Sequence, residues 1–202
     1  MAIIATAKGE SGQTFQPAPA GVHQAVLVDV VDLGVLDVTW QGVTKRQHKV
    51  NLAWQINEAR DDGKPFLVFR RYTLSLGEKS NLRRDLESWL GRKFTREDEM
   101  GFDVESMLGR NCLINITHNT PQGSDKTYAN VASVNPLMKG MPAISARDYV
   151  RKVDRTPEQA SQVNGHEAHD EMNPPPITDD DIPFAWLLPL VLPALASIGM
   201  FA

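Results

Sequence analysis

A mainly β domain of five strands, with one amphipathic helix between the third and fourth, is the fold class this sequence predicts. Three observations predict it. Residues 22–31 form a long β-branched run. Val50, Leu52, Trp54 and Ile56 alternate with Lys49, Asn51, Ala53, Gln55 and Asn57, the period of a half-buried strand with one core face and one wet face. After Leu76 the period changes: Leu82, Leu86, Trp89 and Leu90 recur at helical spacing between Ser80, a natural N-cap, and Gly91, which suits the left-handed C-terminal position.

The 202 residues, 42% of them hydrophobic, allow one good-sized domain plus tails. Residues 1–20, ending in PAPAG, have no apolar period and are expected to form a flexible arm. Strand one follows, and Gly34 sits where a coiled strand must bend before the run continues to Gly42. The cations of KRQHK, 45–49, predict a basic turn before strand two. EARDDGK, 58–64, is hairpin chemistry centred on Asp62-Gly63, and strand three runs from Phe66 to Leu76, carrying Arg70, Arg71 and Tyr72 in succession. Consecutive positions in a strand face opposite ways, so these groups occupy both faces or the rim.

Beyond the helix, Thr95 and Asp103 are helix starts and Gly109 a stop. Cys112, Ile114 and Ile116 mark strand four, and Thr127 to Val134 strand five. Three strands, a helix and two strands is the element order of the OB-fold, a five-stranded Greek-key barrel whose face and loops bind oligonucleotides or oligosaccharides. The domain is assigned to residues 21–140 and a basic extension to 141–155. Residues 156–184 are expected to form a disordered acidic tail, and 185–202 a hydrophobic extension.

Charge divides the chain. Residues 21–155 hold 20 Lys and Arg against 17 Asp and Glu, whereas residues 156–202 hold seven acids and no Lys or Arg. A basic body that grips a polyanion needs cations along the backbone path and flat rings for unpaired bases. The candidate cations are Lys45, Arg46, Lys49, Arg70, Arg71, Lys79, Arg83, Arg84 and Lys126; the candidate rings are Trp40, Tyr72 and Tyr128. Tyr72 and Tyr128 suit a stacking platform and a core position equally, while Trp54 and Trp89 read as core.

Catalytic signals are weak. GEKS, 77–80, lacks the glycines of a phosphate-binding loop, and HEAHDE, 166–171, lacks the second histidine at metalloprotease spacing. No cofactor and no catalysis are expected. The single cysteine, Cys112, lies among apolar residues and reads as a small core residue in a reducing compartment. The N-terminus has no basic region before its four apolar residues, so no secretory signal is expected.

TDDDIPF, 178–184, closely resembles the acidic tip of bacterial single-stranded-DNA-binding proteins. YTLSLGEKSNLRRDLESWLGRKFT, the GFDVESMLGRNCLINITH run and YANVASVNPL resemble the single-stranded-DNA-binding proteins of tailed bacteriophages, over roughly residues 22–155. The resemblance implies binding and protection of single-stranded DNA in phage replication or recombination, in the cytoplasm of a bacterial host. It also implies docking of replication and recombination proteins on Asp179, Asp180, Asp181, Ile182, Pro183 and Phe184. Homo-oligomerisation is left open.

One departure stands out: in the bacterial family Phe ends the chain, whereas here an uncharged run from Ile182 to Ala202 includes 18 further residues. Its length would span a bilayer, but three prolines and the lack of flanking cations disfavour this. A tail-anchored protein with a protein-binding β-domain, or a DNA-processing enzyme with dispersed carboxylates, are the alternative readings.

Overall fold

The computed structural model describes residues 16–40, 42–120 and 127–156. Five strands are formed: β1 Gly21–Trp40, β2 Val43–Ala59, β3 Pro65–Thr73, β4 Asn111–Asn119 and β5 Tyr128–Pro136. They make one antiparallel sheet in the order β3-β2-β1-β4-β5. Helix α1, Asn81–Leu90, and the short α2, Arg96–Met100, lie between β3 and β4, followed by a 3-10 turn at Val104–Met107. The mainly β class and the helix between strands three and four are thus observed.

Strand β1 serves two neighbours. Its first residues pair with β4, and from Ala25 to Trp40 it pairs with β2. Bulges between Leu27 and Asp29 and between Asp32 and Gly34 bend it. Gly34 takes φ 69, a left-handed conformation cheap only for glycine, so the bend sits where the sequence placed it. The hairpin turn differs from expectation. It lies at Gly42, φ 82, and residues 45–49 are strand residues of β2 opposite Gly34 to Val38. The alternation of β1 carries the pairing past the basic cluster, so the turn waits for the glycine.

The core fills one face of the sheet. Leu27, Leu52, Trp54, Ile56 and Ile114 meet Leu82 and Leu86 of α1, all nearly inaccessible to water. Ser80 caps α1, accepting from the Arg83 N–H and donating its hydroxyl to the Ser75 carbonyl, and Gly91 ends it at φ 67. Trp89 donates from Nε1 to the Asn111 carbonyl at 2.9 Å, tying the helix to β4. Each large aliphatic side chain here is worth roughly 2 to 5 kcal/mol against alanine. Cys112 is buried, and that burial raises its thiol pKa, so it is an inert part of this core.

The opposite face of β2 is not wet at Ala53 and Gln55, which are buried. Residues 142–152 cross it as a strap. Asn111 donates to the Ile144 carbonyl and accepts from the Ile144 N–H, both at 2.8 Å. Gln55 does the same for Arg147, at 2.6 and 2.8 Å. Ile144 and Tyr149 then cover a small apolar patch of Val26, Val28, Ala53, Leu67 and Phe69. Asp29, only 1% exposed, accepts from the Tyr149 hydroxyl, the Lys152 N–H and Arg151 Nε. The segment expected as a basic extension therefore forms a second layer on the sheet.

The turn after α1 depends on one carboxylate. Glu87 accepts from Arg83 Nε, Lys93 Nζ and the Phe94 N–H. Lys93 first, then Phe94 and Arg83, pull its pKa from 4.5 down to about 2. Because the folded value is depressed, the stabilisation is complete above about pH 4.5 and is lost as pH falls toward about 2. Urea midpoints measured from pH 7 to pH 3 should fall less steeply for Glu87→Gln than for the unmodified protein; parallel profiles would remove Glu87 from this role.

Candidate nucleic-acid interface

The β1–β2 hairpin projects as a two-stranded arm beyond the bulge at Gly34. Seven register pairs, Gly34↔Lys49 to Trp40↔Val43, make it about 24 Å long at about 3.4 Å per residue. Its residues are mostly exposed, Val35, Leu36 and Val43 included. At its base Asp32 accepts from the Gly34 N–H at 2.7 Å and lies 2.6 Å from His48 Nε2. These contacts pull the Asp32 carboxyl below its ordinary pKa, the Gly34 N–H contributing most. Farther out, Thr39 and Thr44 join hydroxyls across the strands at 2.7 Å. A two-stranded ribbon with water on both sides is marginally stable alone, so such cross-strand contacts matter to it.

The arm carries two candidate cations on opposite faces. By strand alternation Lys45 shares the outer face with Lys49, while Arg46 is on the other, 3.8 Å from Asp37. Both Lys45 and Arg46 are exposed. Lys49 is only 6% exposed, with Nζ donating to Thr73 Oγ1 at 2.9 Å, which makes it a cross-strand tie instead of a solvent-facing cation.

Strand β3 divides its cations as consecutive residues must. Arg71 pairs with Asn51 and shares the outer face with Phe69; among the described residues its side chain has no ion pair or hydrogen bond. Arg70 points the other way. Its guanidinium lies 2.9 Å from Asp85 on α1, donates to the Ala132 carbonyl on β5 at 3.0 Å, and sits 5.0 Å from the Tyr72 ring centre. Arg70 therefore spans the seam between β3 and β5.

Tyr72 is a correction. Only 3% of it is exposed, and its hydroxyl donates to Asp85 at 2.9 Å. Burial first, with the Asp85 charge assisting, raises the phenol pKa well above its usual value, so it remains a donor. It has no face for a base because it lies opposite Val50 on the core side of the sheet. Arg83 is likewise engaged, with Glu87, Glu99 and the Leu76 carbonyl. Arg84 is 63% exposed and 3.4 Å from Asp85, and Lys79 is exposed.

Tyr128 is half-buried at the start of β5, opposite Asn119. Lys126, the Trp40 side chain, HEAHDE and the tip from Asp179 to Phe184 lie outside the described residues. The structure thus brings Lys45 and Arg71 onto the outer face, with Arg46 across the arm, and assigns Arg70, Arg83, Lys49 and Tyr72 to holding the fold. Gln55, Asn111 and Asp29, which grip the strap, were not among the sequence candidates. Asp29 alone carried a signal, as an acid inside a β-branched run.

Compared with models of known protein families and with curated proteins, the chain matches none of them. No helix of the described residues is long and apolar enough to cross a membrane.

Arg70→Ala should take from the buried Asp85 its closer and better-buried cation, leaving only the exposed Arg84 beside it, and cost about 3 kcal/mol of stability, the scale for breaking a buried ion pair. Urea denaturation measures this. A variant as stable as the unmodified protein but weakened in oligonucleotide binding would move Arg70 from the seam to the interface.

Proposed function

We propose that the protein binds single-stranded DNA without strong sequence preference through an OB-fold domain, and protects that DNA during phage replication or recombination. The observation that carries this reading is the strand order β3-β2-β1-β4-β5, with α1 between β3 and β4 and covering the core beside the β3–β5 seam. That order, continued from β5 to β3, is the circuit of a Greek-key barrel whose strand 2–3 face and first hairpin receive oligonucleotides. Support comes from the projecting arm with exposed Lys45 and Arg46, from Arg71 on the β3 outer face, and from the resemblance of the sequence to phage single-stranded-DNA-binding proteins. Residues 179–184 recruit replication and recombination proteins on this reading, and no cofactor takes part.

Titration of poly-dT, duplex DNA and RNA at two salt concentrations tests it. Binding should favour the single strand and weaken with a logarithmic salt slope of roughly −0.7 per phosphate contacted. A salt-independent affinity, or an equal one for duplex, would sink the reading.

The seven acids and absent cations of residues 156–202 set that tail against the basic body. Ending the chain after Arg155 should raise affinity for short oligonucleotides, most at low salt, where charges act over the longest distances. Equal affinities at low salt would show that the acids do not compete for the site.

A further inference from the structure

The strap is built into the outer face. It is held by eight hydrogen bonds from sheet side chains: one from Gln24, two each with Asn111 and Gln55, and three to Asp29. Its departure would also expose the apolar patch of Val26, Val28 and Ala53 now covered by Ile144 and Tyr149. A ligand approaching the outer face of β1, β2 and β3 therefore meets the strap, not the strand residues beneath it.

Four cations along this route stand apart from the carboxylates of the fold. Arg110, next to the clasping Asn111, is exposed, as are Lys139 on the approach to the strap and Arg147, whose backbone is gripped by Gln55. Among the described residues the side chains of Arg110, Lys139, Arg147 and Arg71 have neither an ion pair nor a hydrogen bond. The contrast with other arginines is the informative part. Arg60, Arg70, Arg83, Arg92 and Arg151 are each matched to a carboxylate. A carboxylate partner neutralises a cation within the fold, whereas an unmatched guanidinium on a rigid backbone is available to a phosphate.

We propose that the strap is part of the nucleic-acid interface, and that single-stranded DNA crosses over it with phosphates held by Arg147 and Arg71, flanked by Arg110 and Lys139. The inference rests on the single-strand-binding reading above and locates its track. The strap supplies ligands to the site; it is not a lid over it. Pinning Arg147 through its own N–H and carbonyl fixes the base of that side chain before DNA arrives, which lowers the ordering cost of the contact.

The test uses the full chain and fluorescein-labelled poly-dT, with affinity read by anisotropy over a salt series. Arg147→Ala and Arg71→Ala should each weaken binding several-fold and flatten the salt slope by roughly 0.7. Arg147→Lys should restore the slope, and Arg96→Ala, an exposed cation on α2, should change neither quantity. Releasing the strap with Gln55→Ala and Asn111→Ala together should weaken binding and erase the further effect of Arg147→Ala. Tighter binding on release would make the strap an obstruction and overturn the proposal, as would unchanged slopes in both arginine variants with intact circular dichroism. If the unmodified chain itself fails to bind poly-dT, the function reading fails, a result distinct from losing only the arginine effects.

Discussion

The fold depends on how it manages the seam between β3 and β5. A curled sheet that does not complete its ladder leaves edge N–H and carbonyl groups to be satisfied by other means. Arg70 provides part of the answer, since one guanidinium reaches the Ala132 carbonyl on one edge and Asp85 of the helix. Tyr72 donates to the same Asp85 from the other edge strand. Three elements are joined through the Arg70 guanidinium, with the Asp85 carboxylate as its anchor on α1, and α1 is thereby oriented so that Leu82 and Leu86 enter the core. This explains why a strand rich in arginine is compatible with a well-buried interior.

The same principle operates on the outer face with different chemistry. Gln55 and Asn111 each present a carbonyl and an amide to one residue of the strap, imitating the pairing of a neighbouring strand. Such recognition reads backbone, so the strap sequence is released to carry other properties. Arg147 is exposed for this reason, while Ile144 and Tyr149 provide the apolar contact that makes the layer cohere.

Much of this architecture was legible. The alternation through Val50 to Ile56, the Ser80 and Gly91 boundaries of α1, and the bend at Gly34 all have local causes, and local causes are visible in a linear pattern. The strap was not. Its hydrogen bonds link residues such as 55 with 147 and 29 with 149, far apart in the chain, and its sequence has neither strand nor helix period. The candidate interface suffered similarly. Arg70 and Arg71 look equivalent in sequence, yet alternation sends one to a buried carboxylate and leaves the other on the outer face. Tyr72 was balanced between two roles until its position opposite Val50 decided for the core.

The lock at Asp29 also fixes an origin. Tyr149, Arg151 and Lys152 are fastened to one buried carboxylate, so the chain leaves the domain from a defined place on the outer face. Residue 179 follows Lys152 by 27 positions, which limits its distance from that place to about 97 Å at full extension. Acidic residues tethered within such a radius have an effective concentration set by geometry, not by how much protein the cell makes. Anything that docks on residues 179–184 is thereby held within reach of whatever the outer face holds.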